Sequence, residues 1–150
     1  MINLALKYKK RNTLKLVKTN IKNVKKNDVL IKIHSCGICG SDLKILNKGS
    51  KRVKKNTILG HEISGEIISS KSGSYFKKGQ KIILGADIPV KSKKDFAFGH
   101  EIDGGFQQYL KVNSKLLQLS PHYLTKNKIN HNSTCLTEPL ACCLNGFEKI

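Results

Sequence analysis

The sequence predicts a small, mainly β domain with short helices, and three observations carry that expectation. Short alternating or β-branched runs recur between Gly, Asn and Lys punctuation, the pattern of strands joined by brief turns. The 150 residues are enough for one domain with a real core. No internal repeat or low-complexity linker divides them, and only the end of the chain shows a sustained helical stripe.

In chain order, strands are expected at 13–18 and 29–34. A short helix follows, capped by Ser41 or Asp42, running through Leu46 and ended by Gly49. Further strands are expected at 63–69, 81–84, 106–112 and 116–119. The stretch 127–132 reads as loop. Residues 133–150 read as helix, with Leu136, Leu140 and Leu144 on one stripe and Pro139 either kinking it or marking a later start.

Charge is the one unusual bulk property: 28 Lys and Arg against 10 Asp and Glu give a formal net charge of +18. Such a balance favours acidic partners and nucleic acid electrostatically. However, the lysines fall in nearly every loop, and only Arg11 and Arg52 supply the bidentate forks that read phosphate and guanine. A solvated Lys-rich surface is the stronger reading, and nucleic acid is not an expected partner. The five cysteines form no regular framework, which argues for a reducing compartment. The opening residues are too broken by Lys7, Lys9 and Lys10 for a secretory core, and no apolar run reaches membrane-spanning length. A cytoplasmic protein with no membrane association is the expectation.

The chemistry concentrates in three short segments: Gly37-Ile38-Cys39-Gly40-Ser41-Asp42, then Gly60-His61-Glu62, and far along the chain Glu138-Pro139-Leu140-Ala141. A thiolate, an imidazole and carboxylates are what Zn²⁺ recruits, and a carboxylate in the set points to a catalytic site with an open position. Each residue also has a plainer reading. Cys39 could be a buried thiol or the redox partner of Cys36, His61 a satisfied histidine, Glu138 a carboxylate at a helix N-terminus, and Ser41 an N-cap. The tripeptide recurs as Gly99-His100-Glu101, read here as loop residues because only the first copy is followed by Ser64-Gly65-Glu66-Ile67.

The order of these motifs, together with the segment from His34 to Leu43, Gly79-Gln80-Lys81-Ile82, Gly85-Ala86-Asp87-Ile88-Pro89 and Asp103-Gly104-Gly105-Phe106, resembles the zinc-dependent medium-chain dehydrogenases that act on alcohols, polyols and threonine. The resemblance implies a GroES-like, partly closed β-barrel, the catalytic domain of these enzymes, with 133–150 starting the helix toward a Rossmann domain. It implies one catalytic zinc on Cys39 and His61 with Glu62 or Glu138 as the third ligand. It also implies Ser41 as the hydroxyl that takes the substrate proton and Asp42 as the group orienting His61. Lys44 stands where the family often ends its proton relay with His. The cysteine-bearing lobe of the family is replaced by Val90-Lys91-Ser92-Lys93-Lys94, so no structural zinc is expected.

No Gly-x-Gly-x-x-Gly occurs in the sequence, so NAD or NADP is expected only with a Rossmann domain outside it. The domain over 1–150 is accordingly expected to be incomplete and inactive alone. The leading functional expectation is a zinc-dependent oxidoreductase domain acting on a small alcohol or polyol. A non-catalytic zinc-binding remnant or interaction subunit is the alternative, and a basic nucleic-acid-binding domain a weaker one. Homo-oligomerisation or pairing with a complementing carboxyl-terminal half would supply the partners.

Overall fold

The computed structural model describes residues 1–21, 24–71, 74–89 and 96–149. The chain opens with an antiparallel hairpin, β1 (Ile2–Lys10) and β2 (Thr13–Asn20). Its turn places Asn12 at φ 57°, the left-handed region that Asn tolerates better than most residues. Sequence patterning misses β1 because its buried positions are Asn3, Ala5 and Tyr8 rather than a row of large aliphatics. Buried Asn3 is fully engaged: its Nδ2 donates to Gln107 Oε1 and the Tyr109 carbonyl, and its Oδ1 accepts from the Tyr109 N–H. A polar side chain thus stitches the hairpin to the main sheet, its hydrogen bonds offsetting the desolvation of burial.

That sheet is built from β3 (Asp28–Gly37), which leads into helix α1 (Gly40–Lys48), then β4 (Glu62–Ser69), β5 (Lys81–Leu84), β8 (Tyr109–Asn113) and β9 (His122–Thr125). The spatial order is β8-β3-β4-β5-β9, and every pairing is antiparallel. A short ribbon, β6 (Asp87–Ile88) with β7 (Phe96–Ala97), lies between β5 and β8 in sequence. The order is linear, so among the described residues the sheet does not close on itself. The architecture is mainly β with short helices. Val29, Ile31, Ile63, Ile67, Ile82 and Leu84 from the three central strands meet Phe76 and Phe98 in one core. A smaller cluster of Tyr8, Ile45, Val53 and Leu59 seats α1 against the hairpin.

Three expectations change. The strand expected at 116–119 is helix α2 (Ser114–Leu119). Asn113 caps it by accepting from the Lys115 N–H, and the turn buries Leu117 while leaving Leu119 exposed, which strand alternation would not do. The strand expected from residue 106 begins at Tyr109. Residues 106–108 instead run against the hairpin, with Phe106 accepting from the Leu6 N–H and Gln108 donating to the Leu4 carbonyl. The last helix is two: α3 (His131–Thr134), which takes the end of the expected loop, and α4 (Thr137–Phe147), which starts late enough to carry Pro139 in its first turn. Leu136, Leu140, Leu144 and Phe147 stand exposed along this segment. The stretch 90–94, expected in place of the cysteine-bearing lobe, and Ile150 lie outside the described residues.

Helix α3 is pinned to the sheet by imidazoles. His131 stacks on His34 of β3 with ring centroids 4.3 Å apart and 17° between planes. Its Nδ1 lies 2.8 Å from the Ser64 hydroxyl of β4, which also contacts Thr134. Burial pulls both imidazoles below their ordinary value of 6.5. Lys32 adds to this at His34, and His34 and then Lys81 add to it at His131, while Glu66 opposes the shift at both. Folded-state values that are depressed mean the pair's contribution is present above the unfolded pKa and lost as pH falls through the folded ones. We expect amide exchange in α3 to accelerate, and the melting temperature to drop, as pH is lowered from 7.5 to 5. A His34→Gln, His131→Gln variant should lose most of that dependence; an equal pH response in both proteins would refute it.

Candidate metal centre

Local sequence dictates how three donors meet. Gly37 ends β3, and Cys39 is the N-cap of α1 with extended backbone at φ −83°, ψ 155°. Cap position thus falls on Cys39, not on Ser41 or Asp42. Asp42, at the third helical position and 3% exposed, is used instead to hold the site. Its Oδ2 accepts from the Cys39 N–H at 3.0 Å and its Oδ1 from the Gly60 N–H at 3.1 Å. One buried carboxylate therefore fixes the loop that carries Cys39 to the loop that carries His61.

Gly60 adopts φ +91°, and a side chain there would run into the Phe106 ring at 2.6 Å and Cys36 Sγ at 2.8 Å. Only glycine turns the chain here while keeping it this close. His61 and Glu62 follow, 6% and 5% exposed, with Glu62 opening β4 directly opposite Gly37 in register. The absent side chain of Gly37 is what admits Glu62: a Cβ at Gly37 would lie 1.8 Å from Glu62 Oε2.

The ligand atoms of Cys39, His61 and Glu62 all lie within 4.8 Å of one another. Two buried polar atoms beside them find no partner among the described residues, His61 Nδ1 and Ser41 Oγ. Buried polar groups are ordinarily bonded, so two orphans at one place call for a ligand or a small closure. Asp42 Oδ1 stands 3.9 Å from His61 Nδ1, just beyond bonding reach. A thiolate, an imidazole and one carboxylate are the donor chemistry of three-ligand catalytic zinc sites, and the residues present fit that ion.

The neighbouring Cys36 is a different kind of thiol. Burial, then the nearby Asp42 carboxylate, drives its pKa far above the ordinary thiol range, so it packs as a neutral group. Its Sγ occupies space that a side chain at Gly60 or Gly105 would need.

Glu138 is not brought into the cluster. It sits half-buried in the first turn of α4, and its Oε1 accepts from the Cys142 thiol at 3.3 Å. It lines a cavity with Leu84, Asp87 and His122 at the other end of β5 from Lys81. The second tripeptide is also informative. Glu101 forms a two-pronged ion pair with Arg52, but the His100 ring stands 6.1 Å from the His61 ring. Reading 99–101 as loop misses that proximity. The signal was the repeated Gly-His-Glu itself, and only the packing of one loop on the other reveals what it places together.

Comparison with known proteins decides the family. The model of the alcohol dehydrogenase GroES-like domain matches residues 25–122, well over half of the chain. The chain belongs to that family. This GroES-like domain is 27% identical to D-arabinitol dehydrogenase 1 of Uromyces fabae over 97% of its length, and 28% identical to sorbitol dehydrogenase of Bacillus subtilis over 91%. It spans 44% and 42% of the lengths of those two relatives. Among solved structures, galactitol-1-phosphate dehydrogenase from Escherichia coli superposes with a TM-score of 0.79 at 24% identity, covering 99% of this chain and 44% of that one, a likeness of fold. Homologues of this zinc-type family are dehydrogenases, and the domain corresponds to their amino-terminal part.

Proposed function

We propose that this domain holds one zinc ion through Cys39, His61 and Glu62 and forms the catalytic domain of a zinc-dependent alcohol or polyol dehydrogenase. The observation that carries the reading is the convergence of those three donors within 4.8 Å, from two separate segments of the chain, beside two orphaned polar atoms. Bound there, zinc supplies Lewis acidity that lowers the pKa of a substrate hydroxyl. Ser41, with its unpartnered hydroxyl, accepts the proton released from that substrate oxygen and passes it outward. Asp42 is a positioning residue. It holds the Cys39 and Gly60 backbones in place, and a closure of about 1 Å would let it accept from His61 Nδ1–H, leaving Nε2 as the ligand nitrogen.

On this reading the hydride acceptor is NAD or NADP, held by a Rossmann domain outside these 150 residues. Residues 1–150 then act as the catalytic unit of a two-domain enzyme on a small hydroxylated substrate. Five free cysteines suit a cytoplasmic setting, and no described helix is long and apolar enough to cross a membrane.

Metal analysis after mild dialysis tests the centre: one equivalent of zinc is expected, and a Cys39→Ser, His61→Ala double variant should retain none. Two equivalents, or unchanged loading of the double variant, would overturn the assignment. Calorimetric titration with NAD and NADP should show no micromolar binding to these 150 residues, because they contain no glycine-rich pyrophosphate turn. A micromolar Kd for either would place the cofactor site within the domain.

A further inference from the structure

We propose that His100 is a specificity-determining residue, whose imidazole hydrogen-bonds the hydroxyl adjacent to the reacting one and so selects vicinal diols and polyols over simple alcohols. The proposal rests on the zinc reading of Cys39, His61 and Glu62 and adds a group that neither the fold nor the metal requires. Three observations lead to it.

The first is placement. The segment 99–106 is clamped along the loop that carries His61. Gly104 donates to the Ile58 carbonyl at 2.7 Å, Gly105 to Gly60 at 2.8 Å and Phe106 to Leu59 at 3.0 Å. Gly99, at φ +77°, leaves its missing Cβ only 3.0 Å from the Gly60 nitrogen. Backbone lies on backbone here, and the His100 ring is thereby set 6.1 Å from the His61 ring, tilted by 50°.

The second is rigidity. The turn that presents His100 is held at every corner. Its N–H donates to the Ala97 carbonyl, Phe98 is fully buried, and the Glu101 carboxylate accepts from the Ala97 N–H while forming its two-pronged pair with Arg52. A side chain on such a turn is preorganised rather than free to sample the solvent.

The third is an unused atom. His100 Nδ1 lies 3.3 Å from the Phe98 carbonyl, which can only accept, so Nδ1 carries the proton. In the neutral ring Nε2 then presents a lone pair, and among the described residues it has no partner. The ring is only half-buried, so a small molecule can reach it. On the zinc reading, an acceptor on a ring 6.1 Å from the His61 ring suits a second hydroxyl of the same substrate. A site built to bond such a group disfavours analogues that lack it, because the site's polar atom is then left unpaired.

The test uses the intact chain loaded with Co²⁺, whose visible spectrum reports both the ligand set and the entry of small alcohols. Titration with 1,2-propanediol and 2-propanol should show the diol bound about tenfold more tightly, the effect of one hydrogen bond. In His100→Phe the cobalt spectrum should be unchanged and the diol preference lost. In His100→Gln, which keeps a side-chain acceptor, the preference should return in part; this variant also serves if Phe perturbs folding. Equal affinities in the unaltered chain, or a preference that survives His100→Phe, would overturn the role. So would a cobalt spectrum altered by His100→Phe, since it would make His100 a metal ligand instead. Failure of the unaltered chain to take up cobalt would sink the zinc reading and this proposal with it, an outcome distinct from the others.

Discussion

Replacing Glu62 by Gln should lower zinc affinity by at least the roughly 10–100-fold that loss of an outer-sphere partner costs, whereas Glu138→Gln should leave it unchanged. Glu62 lies within 4.8 Å of the Cys39 and His61 donors, and its charge is what a neutral amide cannot replace. Glu138, by contrast, takes its hydrogen bond from Cys142 and is turned toward the cavity beside β5. A companion substitution reaches the same carboxylate without touching a ligand. A methyl group at Gly37 would occupy the position of Glu62 Oε2, the far end of a flexible side chain, so Glu62 must swing away. Gly37→Ala should therefore keep the fold, with a modest change in melting temperature, yet bind zinc about 10–100-fold more weakly. Competition with a chromophoric chelator measures all three variants. If Glu138→Gln weakened binding as much as Glu62→Gln, the third ligand would be Glu138 and α4 would have to move to deliver it.

Gly104→Ala should be the most destabilising alanine substitution among the described glycines. Its Cβ would meet the Gly60 carbonyl oxygen at 2.0 Å, the Leu59 carbonyl oxygen at 2.7 Å and the Gly99 nitrogen at 2.8 Å. All three are backbone atoms, and none can rotate away as a side chain would. Separating the two segments would also strain the Gly104 and Gly105 hydrogen bonds that join them. Overpacking of this kind costs about 3 kcal/mol, which for a domain of this size lowers the melting temperature by roughly 10 °C. The same separation moves the loop bearing His61, so zinc affinity should fall as well. Gly146→Ala is the control. Nothing lies within 4 Å of its Cβ on α4, and the change should be neutral or stabilising by up to about 1 kcal/mol. Thermal melts of the metal-free proteins decide it, and comparable stability of the Gly104 and Gly146 variants would show that the two loops are not locked together.

The elements legible in the sequence were those whose burial follows a simple rhythm. Strands β3, β4 and β5 carry aliphatic runs such as Val29-Leu30-Ile31 and Ile82-Ile83-Leu84, because they lie at the centre of the sheet. The elements that escaped were at its margins. β1 buries Asn3 and Ala5, whose inward facing is fixed only by partners a hundred residues away. β9 is a four-residue edge, too short for a pattern. The strand expected at 116–119 failed because Leu116, Leu117 and Leu119 satisfy strand and helix alike, and the cap at Asn113 decides for helix.

For the candidate site, the sequence by itself determined which atoms can do chemistry: the thiol of Cys39, the imidazole of His61, the carboxylates of Glu62 and Glu138, and the hydroxyl of Ser41, in an order shared with a zinc-type dehydrogenase family. Tertiary structure decided which of them meet. Glu62 joins Cys39 because β4 pairs with β3 in the register that sets it opposite Gly37, and Glu138 does not because α4 begins past Leu136 and turns it toward Cys142. Asp42 proved to bind two backbones together, and His100 came to stand beside His61, through contacts between segments distant in the chain. Residue chemistry is local and is written in the sequence, whereas proximity depends on register, backbone approach and the space that glycines leave empty, and these exist only once the strands have paired.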